Sequence, residues 1–420
     1  SDQQQILKNI TIKNKTLSKN IKLNILRELS NSNNISSKLR IKNASINSKE
    51  IKKNSVFFAI KGKQKNGNLF VKEAFLKGAS LAIVNNQKKS KNKIVVKDTL
   101  KFLTNASSIL RENLPSKIIS ITGSCGKTSL KELVGRSLNK ISKATYSPKS
   151  FNNKFGVPLS LFNLKKNDAF GIFEIGMDKK GEIDYLSKII KPDVGVITNI
   201  SYAHIKNFEN INQIAKAKSE IIKNIKVGGY LILNKDDKFY NFFEKIGLKR
   251  NLKILSFSLK NKSATTNLVS ISKEKSKYKI SININKKKIY FYSNSFFEND
   301  LKNLLATITI ITIFKDIHKL DKNIFYDHKV INGRGDMIKV KLFKKSFYLV
   351  DESYNSNPLS LKSAIINFDM IKVDNSKKHL VLGDMLELGK YSKKLHLEIG
   401  NDINKTSLKN INVIGEHVKW

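Results

Sequence analysis

One cysteine, Cys125, stands in 420 residues. No intrachain disulfide and no cysteine-built zinc site can form, and a reducing compartment is expected. Acidic residues are scarce: 34 Asp and Glu face 78 Lys and Arg, a net charge of +44. Clustered arginines and interleaved aromatic and basic patches are missing, because the lysines are spread among Asn and Ile along the whole chain. That spread argues against a nucleic-acid groove or base-stacking surface, although the charge can steer anionic substrates. Long apolar runs are absent as well. The most apolar stretch, Leu304 to Phe314, is threaded with Thr and too short to span a bilayer, and SDQQQILKN at the start lacks a signal-type apolar core. These absences leave a soluble cytoplasmic protein without membrane insertion, long enough for two to three domains with sizeable cores.

What is present begins with ITGSCGKTS, Ile121 to Ser129. A short apolar strand, Ile118 to Ile121, precedes it, and Leu130, Leu133, Val134, Leu138 and Ile141 follow at helical spacing. In a strand–loop–helix of this kind, Gly123 and Gly126 let backbone N–H groups close around phosphate oxygens, and the helix N-terminus adds its positive end. Lys127 would reach the terminal phosphates, and Thr128 or Ser129 would place a hydroxyl on Mg²⁺. The bland alternative is a glycine turn capped by Thr128. The loop is shorter than GxxxxGK[ST], but its context favours an ATP site.

Elsewhere the chain reads as α/β. Residues 1 to about 40 are polar, with a short helix around Ile25 to Leu29 and part of the segment expected to be mobile. VFFAI and LAIV are strands around a helix from Leu69 to Lys77, and residues 98 to 113 are helical up to Pro115. SFNNKFGVPLSL, Ser150 to Leu161, reads as an ordered loop in which Asn152 and Asn153 offer both donors and acceptors; an ordinary Asn-rich turn is the alternative. AFGIFEIGM ends its apolar run at Glu174, and VGVITNI delivers His204 on the following loop. Carboxyl ends of strands in such sheets face the ligand crevice.

The next helix runs through Ile211, Ile214, Ala215, Ile222 and Ile225. Lys218 falls in the middle of that apolar stripe, with Glu220 opposite. A buried amine would have a depressed pKa and suit neutral-amine chemistry or covalent modification; a snorkelling ammonium is the alternative. Asn251 to Asn294 read as short alternating strands in an antiparallel appendage, Asp300 to Phe314 as a helix, and Lys315 to Lys329 as a polar linker. From NGRGDM onward the order is strand, helix, strand, helix, strand, which implies a doubly wound sheet. Asn357 and Pro358 supply a cap and first-turn proline, and Asp384 and Glu387 lie in a strand-exit loop.

From about Asn47 to Gly415 the motifs ITGSCGKTS, FNNKFGVPL, EIGM with GEI, KPDVGVITNISYAHI, AKAKSEI, LNKDD, GRGDM, DESYNSNP and LGDMLELG resemble, in order, the ATP-dependent Mur ligase family, MurF type. The resemblance implies a three-domain α/β architecture. Residues 1–114 would form a small N-terminal domain for the UDP-linked substrate, 115–325 a central P-loop ATP-binding domain, and 326–420 a C-terminal Rossmann-like domain. That last domain is expected to be incomplete, since the family continues with a further helix and strand.

The resemblance further implies a monomeric ligase without nucleic acid. It would join UDP-N-acetylmuramoyl-tripeptide to D-alanyl-D-alanine, with ATP and two Mg²⁺. Gly123, Ser124, Cys125, Gly126, Lys127, Thr128 and Ser129 would bind the ATP phosphates, Thr128 and Glu174 the first Mg²⁺, and His204 the second. Lys218 matches a lysine that relatives carbamylate, which would also make it a metal-facing group. Catalysis would fall to Lys127, Glu174, His204 and Lys218. Asn303 resembles the adenine contact, and Arg334 and Asp351 the residues closing on phosphate and ribose. Ser48, Lys49, Asn66 and Gly67 would meet the uridine-diphosphate end, and Asn152, Asn153, Tyr354, Asn355 and Asn357 the rest of the substrates. This chain has NSK where the family has DSR, NGN where it has DGH, and FFEN at Phe296 to Asn299 where a glycine and histidine are usual. Rival readings are another Mur-type or folylpolyglutamate-type ligase, a nucleic-acid-stimulated P-loop ATPase and a non-catalytic nucleotide binder.

Overall fold

The computed structural model describes residues 20–32, 35–62, 64–85, 90–327 and 331–419, so most of the polar N-terminal segment lies outside the described residues. The chain forms two compact units. Unit 1 holds Ser1–Ser120, Ile141–Ile175 and Tyr185–Asp193, and unit 2 holds Ile121–Lys140, Gly176–Asp184 and Val194–Trp420.

Unit 1 starts with α1 (Ile21–Ser30), which buries Leu23, Ile25 and Leu26. Strands β1 (Asn43–Ser45) and β2 (Ser55–Phe58), helix α2 (Val71–Leu76), then β3 (Ala79–Val84) and β4 (Lys93–Val95) follow. The four strands pair in parallel, in chain order. Parallel neighbours need a crossover, which α2 provides between β2 and β3. All four residues of β2 are buried, Ser55 followed by the apolar Val56, Phe57 and Phe58, as in a sheet covered on both faces. Helix α3 (Thr99–Asn113) begins at Asp98, whose carboxylate accepts from Leu100 N and Lys101 N at 2.9 Å each. That cap satisfies two of the helix's orphan N–H groups.

Strand β5 (Lys117–Thr122) carries the chain into unit 2, where α4 (Lys127–Ile141) buries Leu130, Leu133, Val134 and Leu138 as the spacing predicts. Back in unit 1, β6 (Ala144–Tyr146) pairs in parallel with β7 (Phe170–Glu174), and α5 (Gly156–Phe162) lies between them in sequence. This corrects the loop expected at Ser150 to Leu161. Asn153 Oδ1 accepts from Phe155 N at 3.1 Å and Gly156 N at 3.0 Å, so the amide starts a helix. Pro158 sits within its first turn, where no N–H is needed.

After α6 (Glu182–Ile190), unit 2 runs β8 (Val194–Ile197), α7 (Ile211–Asn224), β9 (Tyr230–Asn234), α8 (Tyr240–Lys249) and β10 (Lys253–Ser258), with β8, β9 and β10 parallel. Strands β11 (Thr266–Glu274), β12 (Lys277–Ile284) and β13 (Lys287–Ser293) form an antiparallel meander. The expected appendage therefore starts later than Asn251: β10 and the first two residues of β11 pair in parallel. Helix α9 (Glu298–Ile311) follows. The expected polar linker after it is anchored instead, because Ile317, Ile324 and Phe325 are buried and Phe325 meets the Phe291 ring edge-on at 5.1 Å.

The remainder comprises β14 (Asp336–Leu342), β15 (Lys345–Asp351), α10 (Pro358–Asp369), β16 (His379–Gly383), α11 (Ser392–Ile403) and β17 (Asn410–Ile414). Strand β15 pairs antiparallel with β14, and β16 pairs parallel with β17, as two separate ladders among the described residues. From β15 onward the strands and helices alternate as expected, but β14 is an additional strand at NGRGDM that the expected order did not contain, and it makes the pairing of β15 local. A two-residue turn brings β14 beside it at little entropic cost. Among the described residues no helix is long and apolar enough to cross a membrane.

Candidate functional site

Within unit 2 the glycine loop is tied to the exit of β8. Thr198 Oγ1 donates to Cys125 O at 2.6 Å, and Asn199 Oδ1 accepts from Cys125 N at 2.9 Å. Ser124 N donates to Asn199 O at 2.9 Å, and Ser201 N to Ser124 Oγ at 2.9 Å. Gly123 has φ +146°, and a Cβ there would stand 1.9 Å from Thr198 Oγ1, so no other residue fits. Lys127 Nζ curls back onto Gly123 O at 2.9 Å and Ser124 O at 3.3 Å, and the Thr128 side chain is buried. The backbone is thus preshaped for an anion, with the lysine parked on its own loop.

A cavity of about 440 Å³ extends from Cys125, Gly126 and Ser129 to Asn303 and Arg334. Phe296 and Phe297 line it, their rings 4.9 Å apart, and Tyr278 lies 4.8 Å from Phe296. This aromatic wall stands where FFEN departs from the resembled pattern. The Arg334 guanidinium stacks 4.3 Å over the Tyr354 ring. Cys125 Sγ donates to Asn357 Oδ1 at 3.0 Å, so the residue that caps α10 also touches the phosphate loop.

Lys218 is fully buried on α7, and its amine is held well below the ordinary lysine range. Desolvation is the main cause and the positive charge of Lys127 the second; Cys125 opposes them weakly. The snorkelling alternative is excluded by this burial. Glu220, expected on the opposite polar face, is buried too: its carboxylate accepts from Gly181 N at 2.9 Å and Asp184 N at 3.1 Å, capping the start of α6. The helix is packed on two sides, which leaves Asn212, Lys216 and Lys223 exposed on a narrow polar strip; the single-stripe pattern did not reveal the second packed side.

His204 lies in the left-handed region at φ 59°, with Nδ1 2.5 Å from Glu387 Oε2 and 3.4 Å from Asp178 Oδ1. Glu387 and Asp178 stand in the sequence as acids of separate loops, and neither carries a local signal linking it to His204. Asp351 accepts from Ser353 N at 2.9 Å, and bonds from Ser353 hold its carboxyl below the usual range. Tyr354 and Asn355 are exposed.

The other expected site residues belong to unit 1. Glu174 is buried and accepts from Asn152 Nδ2 at 2.8 Å. Ser48 Oγ donates to Glu73 Oε2 at 2.8 Å, Lys49 is exposed, and Asn66 Oδ1 accepts from Asn68 N at 3.1 Å beside Gly67. Among the described residues no three His, Cys, Asp or Glu side chains gather into a ligand cluster.

Residues 121–311 match the Mur ligase middle domain. The UDP-N-acetylmuramoyl-tripeptide–D-alanyl-D-alanine ligase of Rickettsia prowazekii is 31% identical over 92% of this chain and 85% of the relative. The ligase of the same name from Buchnera aphidicola subsp. Baizongia pistaciae is 30% identical over 90% of this chain and 81% of the relative. Among solved structures, MurF from Acinetobacter baumannii superposes with a TM-score of 0.81 at 26% identity, covering 94% of this chain and 86% of that one. MurF ligase from Thermotoga maritima, in complex with ADP, gives 0.76 at 25% identity over 92% and 87%.

Proposed function

The chain belongs to the family of UDP-N-acetylmuramoyl-tripeptide–D-alanyl-D-alanine ligases, and from that premise we propose that it joins these two substrates with ATP. A carboxylate is a poor electrophile in water, so an amide ligase must first activate it. Transfer of the γ-phosphoryl of ATP to the terminal carboxylate of the tripeptide would form an acyl phosphate. Attack by the free amine of D-alanyl-D-alanine would then release phosphate and leave the amide.

The observation that carries this assignment is the pairing of a preshaped phosphate loop with a buried, neutral-leaning Lys218 that feels the charge of Lys127. Lys127 would leave its parked position on Gly123 O and Ser124 O to neutralise the transferring phosphoryl group. The aromatic wall of Tyr278, Phe296 and Phe297 gives a nucleobase apolar faces beside Asn303. Arg334 and Asp351 would engage phosphate and ribose. Asn152, Asn153, Tyr354, Asn355 and Asn357 would contact the muramoyl peptide or dipeptide, and Ser48, Lys49, Asn66 and Gly67 the uridine diphosphate. The domain limits 1–114, 115–325 and 326–420 remain part of this proposal.

The donor types also fit Mg²⁺, which is held through one or two carboxylates, hydroxyls and substrate phosphates rather than an all-protein cage. Thr128 and Glu174, with His204 and a carbamylated Lys218, would hold it. When bound, Mg²⁺ would withdraw charge from the phosphoryl oxygens. A neutral amine is the form that takes up carbon dioxide, and burial of Lys218 favours that form.

Phosphate release from ATP, measured with UDP-muramoyl tripeptide in the presence and absence of D-alanyl-D-alanine and with mass detection of the product, tests the whole assignment. Release that requires both substrates and yields the pentapeptide is expected. Hydrolysis driven by DNA or RNA and indifferent to the dipeptide would overturn it.

A further inference from the structure

Residues 387–391, in the segment between β16 and α11, lie against residues 202–209 of the loop that carries His204. Lys206 N donates to Glu387 O at 3.0 Å, and Tyr391 Oη donates to Glu209 O at 2.6 Å. The rings of Tyr202 and Tyr391 are 5.7 Å apart. At Gly389, with φ +53°, a Cβ would stand 3.2 Å from Lys206 Cα. These contacts fix one side chain in particular, since Glu387 Oε2 reaches His204 Nδ1 at 2.5 Å, closer than Asp178 at 3.4 Å. Both His204 and Glu387 have left-handed backbones, at φ 59° and 63°. Non-glycine residues hold that conformation only where their surroundings over-determine it.

An ionised carboxylate only accepts hydrogen bonds. With Glu387 on Nδ1, that nitrogen carries a proton, and of the two neutral tautomers the bond selects the one whose Nε2 keeps the lone pair. We infer that Glu387 is a positioning residue: docking of the 387–391 segment fixes the tautomer and ring orientation of His204 and leaves Nε2 as its ligating atom. The inference rests on the assignment of His204 as a metal ligand. It makes that ligand ready only when a segment 183 residues away in sequence is seated. Carboxylates that hold the second nitrogen of a ligating histidine act in this way in metal sites generally.

The test uses the full chain in two measurements. In metal-free protein with ¹⁵N-labelled histidine, His204 resonances, assigned by their loss in H204A, are expected to show Nδ1 protonated and Nε2 bare. E387A is expected to shift them towards the Nε2-protonated form. In the ADP-loaded protein, Mn²⁺ titration should show binding weakened about tenfold by E387A. E387Q, whose amide oxygen can accept the same bond, should retain most of the affinity. G389A should lose part of that affinity although Glu387 remains, because the left-handed backbone and a Cβ 3.2 Å from Lys206 Cα strain the contact. Thermal melting of each variant separates these losses from unfolding. Should H204A weaken Mn²⁺ while E387A changes neither the tautomer nor the affinity, the positioning role is overturned. Should H204A leave Mn²⁺ binding untouched, the assignment of His204 as a ligand fails, and the inference with it.

Discussion

Strand β8 leads to the residues that hold the phosphate loop and β15 to Asp351, assigned to the ribose, and the two are built on opposite terms. Every residue of β8 is buried, and the residues just beyond it, Thr198 to Ser201, are bonded repeatedly to Ser124 and Cys125 of the phosphate loop. Five of the seven residues of β15 are exposed, and Asp351 at its end accepts from Ser353 two residues on. The contrast teaches that the phosphate-binding end is preorganised by tertiary packing. The end that would close on ribose and γ-phosphate is held by contacts between neighbouring segments, among them the stack of Arg334 on Tyr354 and the bond from Gly335 N to Asp351 O.

The largest effect should come from breaking the preorganised side. Lys127→Ala is expected to lower ATP turnover about 10³-fold, and Arg334→Ala, on the looser side, about tenfold less, both read as dipeptide-dependent phosphate release. Equal losses would erase the distinction. Lys218→Ala should also abolish most turnover, with partial rescue by added short carboxylic acids that replace the lost anion. Unimpaired activity in that variant would remove the carbamate from the mechanism.

Buried lysines sharpen the comparison through pH. Lys22, almost fully buried in unit 1, has its pKa lowered to about 8, chiefly by desolvation, with Asp168 opposing. Between about pH 8 and 10.5 the unfolded lysine holds a proton that the folded one has released, so stability rises with pH across that window, by about 3 kcal/mol. Lys22→Met should flatten that rise in urea midpoints taken at successive pH values. A rise unchanged in the variant would place its origin elsewhere.

The smallest effect concerns two hairpin turns. Asn285 and Lys286, between β12 and β13, take positive φ at 48° and 69°, as do Phe343 and Lys344, between β14 and β15, at 46° and 62°. Asn suits such a turn and Phe does not. Replacing Phe343 and Lys344 by Asn and Gly should stabilise the β14–β15 hairpin by about 1 kcal/mol, read as hydrogen-exchange protection of that hairpin. No gain would show that the exposed Phe343 ring is used for something other than the turn.

Much of the fold was legible because its causes are local. Apolar spacing located α4 and α7, the Asn357–Pro358 pair marked the start of α10, and alternation marked β12. The misreadings have local causes too. At Ser150 to Leu161 glycine and proline carry the signals of a loop, whereas Asn153 accepts from the two residues that lead into a helix with Pro158 in its first turn. At Lys315 to Lys329 the abundance of Lys and Asp masked three buried apolar side chains.

Sequence by itself determined the element order, the phosphate loop with its lysine, and the anomaly at Lys218, since each depends on spacing within a few turns of chain. Only the tertiary structure decided that Lys218 is wholly buried beside the charge of Lys127, that Glu220 caps a neighbouring helix, and that Glu387 sits on His204. The reason is physical. Desolvation and side-chain hydrogen bonding depend on which distant segments pack together, and a carboxylate 183 residues from its histidine leaves no periodic mark in the chain.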